Sequence, residues 1–494
     1  MKPFLLYRDK CFEHAPSPFD QQLALDLQLE PVLRKMARHD DDLYRTARQV
    51  LMHCETDAET IRYRQDILRD FLDHPTLAKT LYVASTEIIN ASADYRSCMR
   101  PNLARTVTVR DKLKTAVVLL EIVVRRLQAI KSANPSKTLK SEGLTSLFAR
   151  LENKYGESLI KEASEHLDVL QRAVRDQVFV FGARLGIGLK GNYRLRDLGH
   201  RHNLAGAALR SRLKGRIVLE YSTRDMEETA LKPILLIVKH FIDEALRFAE
   251  LLRFETGFYL SCVHLHEELA QRKVHVTFPL PAGTKERTLV FEDLYSPQLA
   301  LVDDKPTVAN SLHAANKLIF FIYGANQGGK TTLLRTIGLA QLMMQCGMFV
   351  PASFYQSNLC DRIFTHFSQP EDRRLISGKL DEELSRLNGI VNELTTDSLL
   401  LLNDPFSSTT EREGTFIARE MVAAFRELNI KTMVVTSFFS LAKWAYDEKK
   451  SRSSCCARKE TTMAHERFDS RNGNRKSPAT ANNCSMPNWG ICSA

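Results

Sequence analysis

The sequence lacks the long uncharged apolar run that a membrane-spanning helix requires. No window of its 494 residues approaches about 18 consecutive apolar residues, and the segment after Met1 has no sustained apolar core of a secretion signal. The ten cysteines are scattered or adjacent and show no C-x₂-C spacing of a structural zinc site. Because this cysteine usage fits a reducing compartment, we predict a cytoplasmic protein without a membrane anchor.

Glycine is scarce between residues 20 and 170, where apolar residues recur at three- and four-residue spacing among charged ones. Amphipathic helices are predicted over Ile61–Leu72 and Leu113–Ile130, and a helical pattern returns over Lys232–Arg253. Lys273–Phe278 then alternates like a strand. Prolines follow, and afterwards short apolar runs alternate with helical patterns, which is typical of an α/β domain. We therefore place a domain boundary near residue 280.

Acidic residues are too few to balance the basic ones: 69 Lys and Arg face 59 Asp and Glu, for a net charge of +10. Residues 184–216, called here the basic segment, contain nine Lys or Arg and only one acid, Asp197. Few aromatics interleave with these charges, so duplex phosphates fit better than stacked single strands. A solvated basic face without a ligand remains the alternative. Candidate contacts to double-stranded DNA are Arg194, Arg196, Arg210 and Arg212.

A glycine-rich loop follows the apolar run Leu318–Tyr323 and matches the G-x-x-x-x-G-K-T pattern of nucleotide-binding phosphate loops. In such a loop, backbone N–H groups surround the phosphates of ATP, Lys330 reaches the β- and γ-oxygens, and the Thr331 hydroxyl can bind Mg²⁺. A helix from Thr332 to Met344 should direct its positive end at the same anion. The nucleotide-binding candidates are Gly324, Ala325, Asn326, Gln327, Gly328, Gly329, Lys330, Thr331 and Thr332.

A second apolar run, Ser398–Leu402, ends in Asn403 and Asp404 and reads as a buried parallel strand. The carboxyl ends of parallel strands meet at one edge of the sheet, where ligands bind. Asn403 and Asp404 are therefore expected to join Thr331 around Mg²⁺. Asp404 is the predicted catalytic base or water-orienting group, together with Lys330 as the catalytic cation.

Several motifs together resemble those of the MutS family of DNA mismatch repair ATPases. That family's phosphate loop reads G-P-N-M-G-G-K-S-T, and residues 324–332 here read G-A-N-Q-G-G-K-T-T. The other matching runs are Ile61-Arg62-Tyr63-Arg64-Gln65, Gln345-Cys346-Gly347-Met348-Phe349-Val350-Pro351-Ala352, Asp361-Arg362-Ile363-Phe364-Thr365, Ser377-Gly378, Ser408-Thr409-Thr410 and Gly414. The resemblance extends over residues 20 to 447.

The resemblance implies an α plus α/β protein. Residues 1–280 would form a helical core and lever, and residues 281–447 an ABC-like P-loop ATPase domain with a mostly parallel sheet. Such domains dimerise, so a homodimer is expected in which the loop containing Ser377 and Gly378 completes the partner's nucleotide site. Asn310 matches the family's asparagine near the adenine.

Three departures from the family pattern qualify the expected activity. The chain begins close to the helical core, so we expect neither the mismatch-reading domain nor the connector domain. Asn403-Asp404 replaces the family's Asp-Glu pair, which predicts slow hydrolysis. Ser437 stands where the family has a histidine that senses the γ-phosphate.

The last stretch, residues 448–494, has a polar composition without helical or strand periodicity. It is predicted to be disordered. We hypothesise that a frameshift replaced the family's ending, because the matching pattern stops after Asp447.

These features predict an ATP-dependent DNA-binding protein of the MutS type, acting as a clamp or as a sensor of damage or DNA structure in mismatch repair or recombination. Two alternatives fit the same residues. One is a noncatalytic, nucleotide-gated binding or scaffold protein, and the other is a MutS-like ATPase directed to structured RNA or ribosomes.

Overall fold

The computed structural model describes most of the chain in ten stretches: residues 1–100, 107–135, 138–156, 181–185, 191–195, 223–302, 307–324, 327–368, 378–452 and 489–493. The chain divides into two compact units. Unit 1 comprises Met1–Phe12 and Arg69–Leu260, and unit 2 comprises Glu13–Leu68 and Ser261–Ala494. The predicted domain boundaries at 280 and 447 stay predictions. Within the described stretches, no helix combines the length and the apolar character needed to cross a bilayer.

Up to residue 272 the regular elements of the described residues are helices and one pair of strands. Its elements are α1 (Asp20–Asp26), α2 (Glu30–Ala37), α3 (Asp41–Leu51), α4 (Ala58–Asp73), α5 (Pro75–Cys98), α6 (Val109–Ser132), α7 (Glu142–Lys154), β1 (Phe181–Leu185), β2 (Gly191–Leu195) and α8 (Thr223–Gln271). The helices predicted over Ile61–Leu72, Leu113–Ile130 and Lys232–Arg253 are confirmed as parts of α4, α6 and α8. β1 and β2 pair antiparallel.

The later chain alternates strands and helices. Its elements are β3 (Leu280–Ala282), β4 (Leu289–Leu294), α9 (Pro297–Val302), β5 (Asn310–Ala314), β6 (Ile319–Gly324), α10 (Lys330–Gln345), β7 (Phe354–Asn358), β8 (Ile363–Phe367), α11 (Lys379–Val391), β9 (Leu399–Asn403), α12 (Glu411–Glu427), β10 (Lys431–Thr436), α13 (Phe439–Arg452) and β11 (Trp489–Ser493). A 3₁₀ turn lies at Thr284–Glu286.

In unit 1, α5 and α6 lie side by side and bury apolar faces that include Leu81 and Val117. The first residues of the chain are fixed to the middle of α8. Leu5 donates its backbone N–H to Glu255 Oε2 at 2.6 Å, and Tyr259 Oη donates to the Leu5 carbonyl at 2.6 Å. Both contacts are buried, so the polar backbone of this segment is satisfied inside the unit.

Unit 2 is built on a five-stranded sheet in the order β11-β6-β10-β9-β8. The strands β6, β10, β9 and β8 run parallel, and β11 pairs antiparallel with β6. β9 is wholly buried, as its run of leucines predicts for a central parallel strand. A second sheet, in the order β3-β7-β4-β5, is mixed. The predicted combination of a helical region with an α/β part and a mostly parallel sheet is confirmed.

Two sequence predictions differ from the structure. Lys273–Phe278 is not a strand: α8 ends just before it, Lys273 has a left-handed φ of 58°, and the segment makes a single bridge between Thr277 and Val350. Among the described residues, no strand pairs along this segment beyond that bridge. Trp489–Ser493, predicted to be irregular, pairs along β6 as β11. Backbone groups at a sheet edge accept a strand without requiring a periodic sequence.

Within unit 2, the segment Ile61–Gln65 of α4 packs against the turn that ends α10. Arg64 is fully buried and donates from Nη2 to Glu55 Oε2 at 3.2 Å. Gly347 follows α10 with a φ of 86°, and a Cβ placed there would lie 2.5 Å from Arg64 Cβ. Gln345 Nε2 donates to the Glu55 carbonyl at 2.8 Å. Two of the motifs that carry the family resemblance thus meet in one buried contact.

Replacing Gly347 with alanine should destabilise the protein by about 2–4 kcal/mol, because the left-handed backbone is strained and the new Cβ displaces Arg64. The measurement is chemical denaturation. Gly389→Ala is the matched control: Gly389 lies in the last turn of α11, and a Cβ there meets no atom within 4 Å. That change should stabilise by roughly 0.5–1 kcal/mol. Equal midpoints for the two variants would contradict the packing described.

Lys431, at the start of β10, is a buried lysine that connects the two sheets of unit 2. Its Nζ donates to the Thr288 carbonyl at 3.1 Å and to Asn358 Oδ1, both neutral oxygens. Burial lowers the pKa of Lys431 to about 7, with a smaller lowering from Arg287 that Cys360 opposes. Since the ordinary lysine pKa is about 10.4, the unfolded chain binds a proton more tightly than the folded one.

The free energy of unfolding should therefore contain a contribution that rises with pH between about 7 and 10, by up to roughly 1.4 kcal/mol per pH unit, and is flat below pH 7. Lys431→Met should remove this rise. Denaturation midpoints of parent and variant measured from pH 6 to 10 test it, with the exposed Lys285→Met as control. Parallel curves for parent and Lys431→Met would refute the lowered pKa of Lys431.

Candidate functional site

The carboxyl end of β6 leads directly into the amino end of α10, through the predicted phosphate loop. Gly329 precedes the helix with a φ of 87°, and Gln327 has a φ of 64°. Such left-handed positions let a loop turn its N–H groups inward, and glycine adopts them without strain. Ala325 and Asn326 lie outside the described residues.

Lys330 begins α10 and is 5% exposed. Its Nζ donates to the Gly324 carbonyl at 2.8 Å, so the side chain folds back over the loop. A buried ammonium beside the positive end of a helix is unfavourable by itself. The two positive groups together are suited to hold an anion, and a phosphate is the common one at such a helix end.

Thr331, the next residue, connects the loop to β9. Its Oγ1 donates to Asn403 Oδ1 at 2.7 Å, and Asn403 is buried. β10 lies between β6 and β9, so this hydrogen bond spans the width of one strand at the carboxyl edge of the sheet. The expectation that Asn403 lies beside Thr331 agrees with this contact.

Asp404 follows β9 with a left-handed φ of 49° and is half-buried. Its Oδ1 accepts from the backbone N–H of Ser437 at 2.8 Å, and its own N–H donates to the Val435 carbonyl at 2.9 Å. Asp404 is therefore held against the end of β10. The sequence indicated only that the Ser437 side chain differs from the family's histidine; a backbone contact leaves no trace in residue type.

Next to this edge lies a buried polar cluster that the sequence did not indicate, formed by His366, Glu383 and Ser408. Glu383 Oε1 accepts from His366 Nε2 at 3.3 Å and from the Phe406 N–H at 2.7 Å, and Oε2 accepts from Ser408 Oγ at 3.0 Å. Burial opposes ionisation of Glu383, but these hydrogen bonds outweigh it and hold its pKa below the ordinary value. Ser408 lies in a motif already noted, whereas nothing in the sequence pattern distinguished Glu383.

The other predicted site residues are dispersed. Asn310 begins β5 in the second sheet, and Gly378 precedes α11. Arg194 lies on β2, for which the backbone alone is described. The predicted residues outside the described part of the chain are Arg196, Arg210, Arg212 and Ser377. The roles assigned to all these residues stay predictions.

Thr331, Asn403 and Asp404 present hard oxygen donors beside the Lys330 cation and a helix end. Hydroxyl, amide and carboxylate oxygens suit Mg²⁺, which is typically bound by few protein ligands together with substrate phosphates. The described residues contain no cluster of three or more His, Cys, Asp and Glu that could hold a metal ion. The residues fit a magnesium-bound phosphate chain.

Two family profiles match the chain. The MutS2 N-terminal domain matches residues 56–272, and MutS domain V matches residues 320–472. The second match contains the phosphate loop and both strands of the candidate site, and it continues past Asp447, where the sequence comparison above stops.

Relatives carry names of the same family. The chain is 27% identical over 190 residues to the DNA mismatch repair protein MutS of Caldanaerobacter subterraneus, which covers 38% of the chain and 22% of that protein. It is 34% identical over 138 residues to MutS of Psychrobacter cryohalolentis (28% and 13%). It is 31% identical over 153 residues to Endonuclease MutS2 of Thermus thermophilus (31% and 20%). The matched region thus spans less than a quarter of the length of each of these relatives. Together, the two profiles and these relatives show that the chain belongs to the MutS family.

Proposed function

We propose that this chain is a MutS-like ATPase that couples ATP binding and hydrolysis to binding of double-stranded DNA. It would act as a clamp or as a sensor of damage or DNA structure in mismatch repair or recombination. The observation that carries the proposal is the convergence of Lys330, the Thr331–Asn403 hydrogen bond and Asp404 at one sheet edge.

In this proposal each residue has a distinct task. Lys330 and the loop N–H groups bind the β- and γ-phosphates of ATP, releasing the Gly324 carbonyl that Lys330 now contacts. Thr331, Asn403 and Asp404 would hold Mg²⁺ through their side-chain oxygens. Mg²⁺, when bound, neutralises charge on the phosphate oxygens. Asp404 orients the attacking water or accepts its proton, and the contact with the Ser437 N–H fixes the direction of its carboxylate.

The DNA part of the proposal is supported by charge and by the relatives' names. The chain carries a net charge of +10, and the basic segment concentrates nine cations near one acid. Contacts from such residues to phosphates supply affinity that is independent of base sequence. Two relatives are named as DNA mismatch repair proteins and one as an endonuclease. A homodimer through the ATPase domain is part of the same proposal.

A second function, a noncatalytic nucleotide-gated scaffold, is favoured by one observation. The neutral amide of Asn403 occupies the buried position beside Thr331 where the family has a carboxylate. An amide supports Mg²⁺ less strongly than a carboxylate because it carries no charge. ATP would then be held but hydrolysed slowly.

Steady-state ATPase activity measured with and without duplex DNA separates the two functions. Turnover that rises with duplex DNA is expected, and tight ATP binding without turnover would support the scaffold. Lys330→Ala should lose ATP binding because it removes the cation beside the loop. Lys285→Ala, at an exposed lysine of the same unit, should bind as the parent does. Unchanged ATP affinity in Lys330→Ala would overturn the assignment of the loop.

The pair Asn403 and Asp404 can be tested in both directions. Asp404→Asn keeps an oxygen that can accept from Ser437 N–H but removes the base, so ATP binding should persist while turnover falls by about 10²-fold or more. Asn403→Asp combined with Asp404→Glu should raise turnover, since it restores the family's two carboxylates. Single-turnover rates and ATP affinities measure both effects. A double variant no faster than the parent shows that hydrolysis is limited elsewhere.

A further inference from the structure

The loop that follows Asp404 contains two backbone positions that are costly for residues with a Cβ. Asp404 and Phe406 both have left-handed φ values, 49° and 62°, although neither is glycine. Residues with a Cβ adopt this region at a cost and remain there when neighbouring groups fix them. Contacts from outside the loop can therefore stabilise this conformation in addition to the loop's own hydrogen bonds, such as the one from the Ser407 N–H to the Asp404 carbonyl at 3.3 Å.

Glu383 provides such contacts from α11. Its side chain is 4% exposed, and its two carboxylate oxygens bind the loop at two points, the Phe406 N–H at 2.7 Å and Ser408 Oγ at 3.0 Å. The Phe406 ring is fully buried. Phe406 is thus held in two ways: the Glu383 carboxylate binds its backbone N–H, and its ring is buried.

His366 holds Glu383 in turn. It is 2% exposed on β8, and its Nε2 donates to Glu383 Oε1 at 3.3 Å. A carboxylate can only accept, so this contact requires the proton on Nε2. A carboxylate can stay ionised inside a protein when hydrogen-bond donors satisfy its lone pairs. Glu383 accepts from three donors: His366 Nε2, the Phe406 N–H and Ser408 Oγ.

We propose that Glu383 is a positioning residue for Asp404: it fixes residues 404–408 so that the Asp404 carboxylate stays on the Ser437 N–H and faces the nucleotide. The catalytic part of this inference rests on the proposed ATPase function. Glu383 touches neither nucleotide nor water in the reaction; it acts through the Phe406 and Ser408 contacts.

The kinetic test compares Glu383→Ala, Glu383→Gln and Glu382→Ala. Glu382 precedes Glu383 on α11 and is exposed, so it controls for a change on the same helix. Glu383→Ala should lower kcat by about 10- to 100-fold, as misplaced catalytic groups do, with KM for ATP within twofold of the parent. Glu383→Gln keeps an acceptor for Phe406 N–H and should retain most of kcat. Glu382→Ala should match the parent.

Hydrogen exchange followed by mass spectrometry tests the positioning without turnover. In Glu383→Ala, peptides containing residues 404–410 and 436–440 should both exchange faster, because the loop and the Ser437 N–H lose their partners. Should this variant not fold, Glu383→Asp keeps the charge but withdraws the carboxylate by one methylene, and the same changes are expected.

The outcomes are distinct. If the parent protein shows no ATP turnover, the proposed ATPase function is contradicted. The hydrogen-exchange measurement still decides whether Glu383 positions Asp404. A Glu383→Ala variant with the parent's kcat overturns the inference alone. Faster exchange confined to 404–410, with 436–440 unchanged, also overturns it, because Asp404 would then keep its place without Glu383. A large rise in KM together with lower kcat would indicate a structural role only.

Discussion

The parallel pairing of β6, β10 and β9 is the constraint on which the candidate site depends. Because these strands run in one direction, the loops after all three emerge at the same edge of the sheet. Lys330 and Thr331 follow β6, Asn403 ends β9 and Asp404 follows it, and Ser437 follows β10. Reversal of any one strand would separate groups that now lie within hydrogen-bond distance. The sheet thus brings together residues that are more than 70 positions apart in the sequence, such as Thr331 and Asn403.

The parts of this arrangement that sequence reasoning anticipated are local. The phosphate loop is a contiguous motif, and the buried strands are contiguous apolar runs, so their residue types alone specify them. The placement of Asn403 beside Thr331 could be argued as well, since parallel strands share an edge. These inferences needed no knowledge of distant contacts.

The parts that were missed depend on backbone atoms or on distant partners. The Ser437 N–H contact to Asp404 is possible for every residue type except proline. Glu383 looks like any other acid on a charged amphipathic helix, and its burial follows from the loop that it meets in space. Lys273–Phe278 alternates as a strand does, but pairing requires a neighbour that periodicity does not reveal. β11 is the opposite case: its residues show no strand periodicity, but the backbone of β6 supplies the groups with which it pairs.

The contact between Arg64 and Gly347 joins two of the motifs that resemble those of the MutS family. One motif lies on α4 and the other follows α10, yet Gly347 leaves room for Arg64, and Gln345 and Arg64 both bind Glu55. The two positions therefore depend on each other within one buried contact. A smaller side chain at 64 would not make room for a side chain at 347, because the clash is with Arg64 Cβ, an atom that every residue except glycine carries. A chimera of two relatives joined anywhere between these positions would take the two sides of this contact from different parents.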